Sequence, residues 1–138
     1  MGYWLTGKDL DKFRLNGTTV GDTTKVAPDA FIDMNYKCTV GEHCMMAAKS
    51  MVLGHDAATN TVGLPTVAEE TVLGNNVFMG VYSIVLVGRH VGDNVIIGAY
   101  TVVTKVIPSN QVWAGNPARF VCTLEEYKRK HVIRRNGV

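Results

Sequence analysis

The sequence of 138 residues lacks the features of several specialised classes of protein. It contains no run of roughly 18 apolar residues, so we predict no membrane-spanning helix and expect a cytoplasmic protein. The formal net charge is only +2, which offers no broad basic surface for nucleic acid. The three cysteines are an odd number without CxxC spacing, and we expect Cys38, Cys44 and Cys122 to be small buried residues.

Proline is scarce as well, with four residues against fourteen glycines. Because the glycines are spread along the chain, they favour many tight corners in one ordered domain rather than a flexible linker. The sequence also lacks a Walker-type or GxGxxG loop, so nothing in it indicates ATP or NAD as a ligand.

A repeat of six residues is the main pattern that is present. An aliphatic residue returns at every sixth position without a break. Seven positions share this frame: Val67, Leu73, Met79, Val85, Val91, Ile97 and Val103. A strand alternates every two residues and a helix repeats about every 3.6, so a period of six needs another geometry. Such hexads predict a parallel β-helix, in which short strands turn and each coil buries its apolar residues on the next.

The same frame continues upstream and sets the predicted size of the coil. Its upstream members are Val20, Val26, Ile32, Val40, Met46 and Val52. If three hexads make one coil, the repeat amounts to about four coils, and residues one coil apart stack in columns. The predicted columns are Val67–Val85–Val103, Leu73–Val91 and Met79–Ile97. An antiparallel β-sandwich is the alternative, but its strands would not keep one phase over so long a stretch.

We therefore predict an all-β domain with a short cap before it and a helix after it. The cap is residues 1–19, the β-helix is residues 20–108, and the C-terminal segment with its helix is residues 109–138. Thr6 followed by Asp9 resembles a capping box on a short first helix. Thr123 is the expected N-cap of the last helix.

The repeat is interrupted at two places. Eight residues separate Ile32 from Val40, which predicts a small bulge. Fifteen residues separate Val52 from Val67, so nine residues are extra to the repeat, and the predicted loop spans residues 55–66. Long insertions on a rigid scaffold commonly carry function, and this loop leaves the coil where a histidine stands.

The stretch "VGDNVIIGAYTVVTKVIPSNQVWAGNPARFV" and the loop "GHDAATN" resemble signature segments of the hexapeptide-repeat acyltransferases. Within that family the chain is most similar to the sugar O-acetyltransferases of bacterial surface-polysaccharide synthesis. The resemblance implies a left-handed parallel β-helix that transfers an acetyl group from acetyl-CoA to a sugar hydroxyl. It also implies a homotrimer with active sites shared between subunits, and no metal.

The resemblance assigns the role of general base to His55. Histidine titrates near neutral pH and suits the removal of a proton from a poorly nucleophilic sugar hydroxyl. Asp33 and Asn35, one coil earlier, are implied substrate-binding residues, and Asp33 is also a candidate for stabilising the protonated histidine. Asp56 would face the opposite side of a strand from His55, so it is a poorer partner. Hydrogen bonds at the corners of the coil are the structural alternative for these polar residues.

The resemblance also implies that coenzyme A lies along the outside of the coil. Six residues are implied to contact it: Gly80, Val81, Ala99, Thr104, Lys105 and Arg119. Lys105 and Arg119 can pair with phosphates. The backbone N–H of Gly80 is a candidate donor to the thioester oxygen.

Other functions stay open at this point. Serine, an amino sugar or a xenobiotic are alternative acceptors, and the loop 55–66 offers no charged anchor for an acidic sugar. His43, His55 and His90 allow a zinc enzyme resembling the γ-class carbonic anhydrases, although none of them lies close to another in sequence. A non-catalytic β-helix scaffold is the third alternative.

Overall fold

The structure, a computed structural model, describes residues 3–135. Within this range it contains short strands, two 3₁₀ helices and a C-terminal α-helix. The outermost residues of the two predicted terminal segments, 1–2 and 136–138, lie outside the described residues. None of the helices between residues 3 and 135 has the length and apolar character to cross a membrane.

The strands form three sheets and one separate hairpin. Sheet 1 contains β1 (Thr19–Val20), β4 (Cys38–Val40), β9 (Thr71–Leu73) and β12 (His90–Val91). Sheet 2 contains β2 (Lys25–Val26), β5 (Met45–Met46), β10 (Val77–Met79), β13 (Val95–Ile97), β15 (Gln111–Ala114) and, antiparallel at its edge, β16 (Arg119–Thr123). Sheet 3 contains β3 (Phe31–Ile32), β6 (Met51–Val52), β11 (Ile84–Val85) and β14 (Val102–Val103). The antiparallel hairpin consists of β7 (His55–Asp56) and β8 (Val67–Ala68).

The strand order defines a three-sided coil. The chain visits sheets 1, 2 and 3 in turn, and each strand in the coil pairs in parallel with the strand one coil away. Leu73 stands opposite Val91, and Met79 stands opposite Ile97. The predicted parallel coils and two of the three predicted columns are therefore confirmed.

The third predicted column is wrong in one member. Val67 lies in the β7–β8 hairpin, opposite Asp56, and is 39% exposed. Val52 takes its place beside Val85 and Val103 in sheet 3. Val67 keeps the hexad phase in sequence, but the hairpin that contains it has left the coil. The excursion is therefore longer than the nine residues that the repeat predicts.

The turns between the sheets stack into three corners, and one corner carries the excursion. The arm corner, between sheets 3 and 1, consists of residues 33–37, 53–70, 86–89 and 104–106. The asparagine corner, between sheets 1 and 2, consists of residues 21–24, 41–44, 74–76, 92–94 and 108–110. The tyrosine-pair corner, between sheets 2 and 3, consists of residues 27–30, 47–50, 80–83 and 98–101 and is named for the stacked rings of Tyr82 and Tyr100. The arm itself is residues 53–70 and contains β7, a 3₁₀ helix at Ala58–Val62 and β8.

The hexad residues fill the interior of the coil. Apart from Val67, each member of the predicted frame is at most 5% exposed. Small polar residues close the corners from inside, and the hydroxyls of Thr71 and Ser83 donate to the carbonyls of Leu53 at 2.6 Å and Gly80 at 2.7 Å. The predicted burial of the three cysteines is confirmed. Because side chains fill this narrow interior, a ligand must bind on the outside of the coil.

The two ends of the coil carry different elements. At the first end, Leu10 and Phe13 of the 3₁₀ helix Gly7–Phe13 are buried. The capping box predicted there is wrong, because the Asp9 N–H donates to the carbonyl of Thr6, whose side chain makes no capping hydrogen bond. At the other end, α1 spans Leu124–Arg135, and the Thr123 hydroxyl accepts the N–H of Glu126 at 3.1 Å. The predicted N-cap at Thr123 is confirmed.

Candidate active site

The arm corner brings His55 against Asp33. His55 begins the hairpin of the arm, whereas Asp33 follows β3 one coil earlier. His55 Nδ1 is hydrogen-bonded to Asp33 Oδ2. The side chain of His55 is 35% exposed and that of Asp33 only 1% exposed. The imidazole therefore joins a buried carboxylate to the open surface of the corner.

The carboxylate of Asp33 is held as an anion. Its Oδ1 accepts the N–H of Asn35 at 2.9 Å, and its Oδ2 accepts the N–H of Gly54 at 3.1 Å. Burial raises the pKa of Asp33, but its hydrogen bonds to the imidazole and to these two amides outweigh burial and leave that pKa below the ordinary 3.8. An ionised carboxylate only accepts hydrogen bonds, so His55 Nδ1 must carry the hydrogen. In that tautomer Nε2 is the ring nitrogen without a hydrogen.

This placement bears on the implied substrate contacts. The substrate-binding role of Asp33 does not fit a carboxylate that is buried and already bonded within the protein, whereas the role of stabilising the histidine does. Asn35 is exposed, and its backbone N–H supports Asp33. Asp56 accepts the N–H of Ala58 at 2.8 Å instead of pairing with His55, in keeping with the prediction that it faces away.

Tyr36 supports the other side of the imidazole. Its ring stacks on His55 with a centroid separation of 4.5 Å and an interplanar angle of 29°. The two coils approach closely here, because a Cβ at Gly54 would lie 2.9 Å from the carbonyl oxygen of Tyr36 and 3.0 Å from Cys38 Sγ. Sequence reasoning missed Tyr36, since its only signal is that it follows Asp33 by three residues.

A groove of about 510 Å³ opens beside His55. This volume lies within the range of roughly 300–1,000 Å³ that is typical of ligand sites. Its polar and charged lining residues are His55, Asp56, Glu69 and Arg89, and its apolar walls include Leu53 and Val87. Glu69 and Arg89 were also missed by sequence reasoning. Arg89 comes from the turn of the following coil, so it is absent from the sequence of the predicted loop.

The residues implied to contact coenzyme A fall on both sides of sheet 3. Gly80, Val81 and Ala99 lie on the tyrosine-pair corner, Thr104 and Lys105 lie on the arm corner, and Arg119 lies in β16. The donor role suggested for the Gly80 N–H is wrong, because this group already donates to the carbonyl of Ile97 at 2.8 Å. Within one chain, sheet 3 separates His55 from Gly80 and Val81.

Comparison with known proteins gives two informative relatives, although no protein-family model matches the chain. The chain is 33% identical to protein CapG of Staphylococcus aureus over 127 residues, which is 87% of this chain and 74% of CapG. It is 42% identical to galactoside O-acetyltransferase of Escherichia coli over 59 residues, which is 43% of this chain and 29% of that enzyme.

Solved structures share the fold. A maltose O-acetyltransferase from Clostridium difficile is 28% identical, with a TM-score of 0.59 over 84% of this chain and 73% of that chain. A hexapeptide-repeat acetyltransferase from Vibrio cholerae, complexed with acetyl-CoA, is 19% identical, with a TM-score of 0.72 over 79% of this chain and 61% of that chain. The chain belongs to the hexapeptide-repeat acetyltransferase family.

Family membership does not extend every property of the relatives to this chain. The chain spans 29% of the E. coli galactoside O-acetyltransferase and 63% of a putative acetyltransferase, YvoF, of Bacillus subtilis. Acetyl-CoA is the ligand of the Vibrio structure, whose low identity bears on the fold alone.

The histidines of this family member do not converge on a metal site. His43 lies on the asparagine corner, His55 on the arm corner and His90 in sheet 1. Within residues 3–135, no three His, Cys, Asp or Glu side chains are grouped so that they would hold a metal ion. The zinc alternative thus has no supporting arrangement of ligands in the described part of the chain.

Proposed function

We propose that the chain transfers an acetyl group from acetyl-CoA to a hydroxyl of a sugar. His55 Nε2 takes the proton of the acceptor hydroxyl while the hydroxyl oxygen bonds to the thioester carbonyl carbon. The same nitrogen then returns the proton to the sulfur as the carbon–sulfur bond breaks. The histidine ends neutral, and no acyl-enzyme forms.

The pairing of His55 with buried Asp33 is the observation that carries this proposal. Asp33 selects the tautomer in which Nε2 is unprotonated, and its negative charge stabilises the imidazolium that forms during transfer. A positioned general base of this kind contributes about 10²–10⁴-fold to the rate. Family membership supports acetyl transfer, and the named activities of the galactoside and maltose O-acetyltransferases support a sugar acceptor.

We propose that coenzyme A binds between the tyrosine-pair corner of one chain and the arm corner of its neighbour. Gly80 and Ala99 are small residues of the tyrosine-pair corner beside the stacked rings of Tyr82 and Tyr100, and a Cβ at Gly80 would lie 2.6 Å from the backbone nitrogen of Ala99. Lys105 and Arg119 are exposed cations that suit the phosphates. Val81 and Thr104 complete the set implied by the resemblance.

A homotrimer would bring the two halves of this site together. The outward side chains of sheet 3 form an apolar stripe in register: Phe31, Met51, Ile84 and Val102. Three copies that pack their sheets 3 around one axis would bury this stripe. That arrangement puts the arm corner of one chain beside the tyrosine-pair corner of the next, so His55 would face Gly80 and Val81 of its neighbour.

The trimer has a direct test in solution. Met51→Glu introduces a charge into the proposed interface, and we expect sedimentation to report monomers with little activity. Val72→Glu is the matched control, because Val72 occupies an outward position in sheet 1. A wild-type monomer with full activity would contradict the shared site.

The winding hand is also a proposal. The hexads and the closing segment resemble a family whose coil is left-handed, and we propose the same hand here. A crystal structure with right-handed turns would contradict it.

The activity itself is tested by thiol release from acetyl-CoA with a panel of sugars, nucleotide sugars, amino sugars and serine. We expect release with at least one sugar that carries no amine, and its loss in His55→Asn. Transfer only to amines or to serine would contradict the sugar hydroxyl. Absence of a thermal shift with acetyl-CoA would favour the scaffold alternative.

A further inference from the structure

Arg89 is a fixed cation in the groove beside His55. Its Nε donates to the carbonyl of Thr104 at 2.7 Å, and its Nη1 donates to the carbonyl of Val87 at 3.1 Å. Among residues 3–135, no carboxylate oxygen lies within 4.0 Å of its nitrogens. Two neutral carbonyls thus hold the guanidinium in place without neutralising its charge.

A guanidinium held in this way is prepared to bind an anion. The group has five N–H donors, and the two hydrogen bonds to carbonyls leave others for a ligand. Its planar fork matches a carboxylate with two parallel hydrogen bonds. Because protein contacts already restrict the side chain, ligand binding costs little additional rotamer entropy. Arg89 lines the same groove as the imidazole. An anionic group bound by Arg89 would therefore belong to the same molecule that faces His55.

Two acidic residues restrict which anion fits. Asp56 and Glu69 line the same groove, and Glu69 is exposed. Their carboxylates would repel a multiply charged phosphate group, but they accept hydrogen bonds from hydroxyls. One cation and two acceptors of this kind match a ligand with a single carboxylate and several hydroxyls.

We propose that the acceptor is an acidic sugar of the uronic or sialic acid type, bound through its carboxylate by Arg89 and through its hydroxyls by Asp56 and Glu69. This inference rests on the proposed acetyl transfer and names its substrate class. It also revises the expectation from the loop sequence, because the charged anchor comes from the next coil.

The test compares acidic and neutral acceptors in wild type and in Arg89→Met. The acceptors are N-acetylneuraminic acid and methyl glucuronoside, with methyl glucoside and UDP-glucose as the uncharged-ring counterparts. We expect Arg89→Met to raise the KM for the acids by roughly 10- to 100-fold, because it removes a hydrogen-bonded charge pair. The KM for acetyl-CoA and the kcat/KM for methyl glucoside should change less than about twofold, which is within ordinary surface effects.

Two further variants control for charge and folding. Arg129→Met removes the same charge from the exposed surface of α1 and should leave all KM values unchanged. Arg89→Lys keeps the charge but not the planar fork, and we expect an intermediate KM for the acids. If Arg89→Met does not fold, as judged by circular dichroism, Arg89→Lys carries the comparison.

Failure of this inference is distinguishable from failure of the proposed function. A wild-type preference for methyl glucoside or UDP-glucose, or equal KM values for the acids in wild type and Arg89 variants, overturns the inference and leaves acetyl transfer intact. Saturation-transfer NMR with the two acids, in the absence of acetyl-CoA, tests binding without turnover. A signal in wild type that is lost in Arg89→Met supports the site even where no transfer occurs. Equal signals, or none in wild type, overturn it.

Discussion

The asparagine corner and the arm corner are equivalent turns of one coil, yet they use polar side chains differently. At the asparagine corner, Asn76 Nδ2 donates to Asn94 Oδ1 at 2.9 Å, and Asn94 Nδ2 donates to Asn110 Oδ1 at 3.1 Å. These amides bond to one another along the coil. At the arm corner, His55 and Arg89 bond to the protein on one side and face a groove on the other. Side chains that hydrogen-bond to one another from coil to coil support the fold. Side chains that bond to the protein on one side and face a groove on the other are available to a ligand.

The largest expected effect separates two histidines, one at each corner. His55→Asn removes the proposed base, and we expect kcat to fall by about 10²–10⁴-fold. His43→Asn is the matched control, because His43 lies on the asparagine corner with a φ of 56°, which asparagine tolerates. Steady-state thiol release measures both variants. Equal activities of the two variants would show that the comparison between the corners has no catalytic meaning.

The next effect concerns the carboxylate behind the base. Asp33→Asn keeps the shape of the side chain but loses the charge that selects the tautomer of His55. We expect kcat to fall by about 10- to 100-fold, as for other groups that orient a functional histidine. The KM for acetyl-CoA should change little. Wild-type kcat in this variant would reject the positioning role of Asp33.

The lowered pKa of Asp33 also predicts how the free energy of unfolding changes at acid pH. Its pKa in the folded protein lies below the ordinary 3.8, so its contribution to the free energy of unfolding is present above that value and is lost as pH falls through the native pKa. Urea unfolding from neutral pH to about pH 3 should therefore show a steeper loss of stability in wild type than in Asp33→Asn. Parallel curves would contradict the depressed pKa.

A smaller effect is expected from the ring that stacks on the imidazole. Tyr36→Leu removes the aromatic stack, and we expect kcat to fall by about 2- to 10-fold, in line with the usual energy of aromatic pairs. Tyr36→Phe keeps the ring and should retain wild-type kcat. If Tyr36→Phe loses as much activity as Tyr36→Leu, the hydroxyl rather than the stack is responsible.

A substitution in the asparagine corner should lower the free energy of unfolding and leave kcat unchanged. Asn94→Ala removes two hydrogen bonds between coils at a residue with a φ of 55°, and we expect the free energy of unfolding to fall by about 1–3 kcal/mol. Asn94→Gly loses the same hydrogen bonds, but glycine adopts a positive φ readily. Its free energy of unfolding should therefore fall by less than that of Asn94→Ala. Thermal unfolding measures the difference, and kcat should stay at the wild-type value. A change in kcat would mean that this corner contributes to the site.

Most of the coil was predictable because buried apolar residues recur at every sixth position. Leu73, Met79 and Ile97 lie where the period of six predicts, since each coil must cover the apolar residues of the next. Val67 shows the limit of that rule. A period counts residues along the chain, and it does not report when a hairpin has left the coil. The candidate site was predictable where a single residue marked it, as with His55 beside the interruption.

The sequence by itself determined the repeat, the stacking of three-sided coils and the point at which a histidine leaves them. Only the tertiary structure decided that Asp33 is buried behind that histidine, that Tyr36 stacks on it and that Arg89 joins its groove. The physical reason is that apolar burial acts periodically along the chain. Hydrogen bonds and charges at a corner act between residues of different coils, whose contact depends on how each turn is folded.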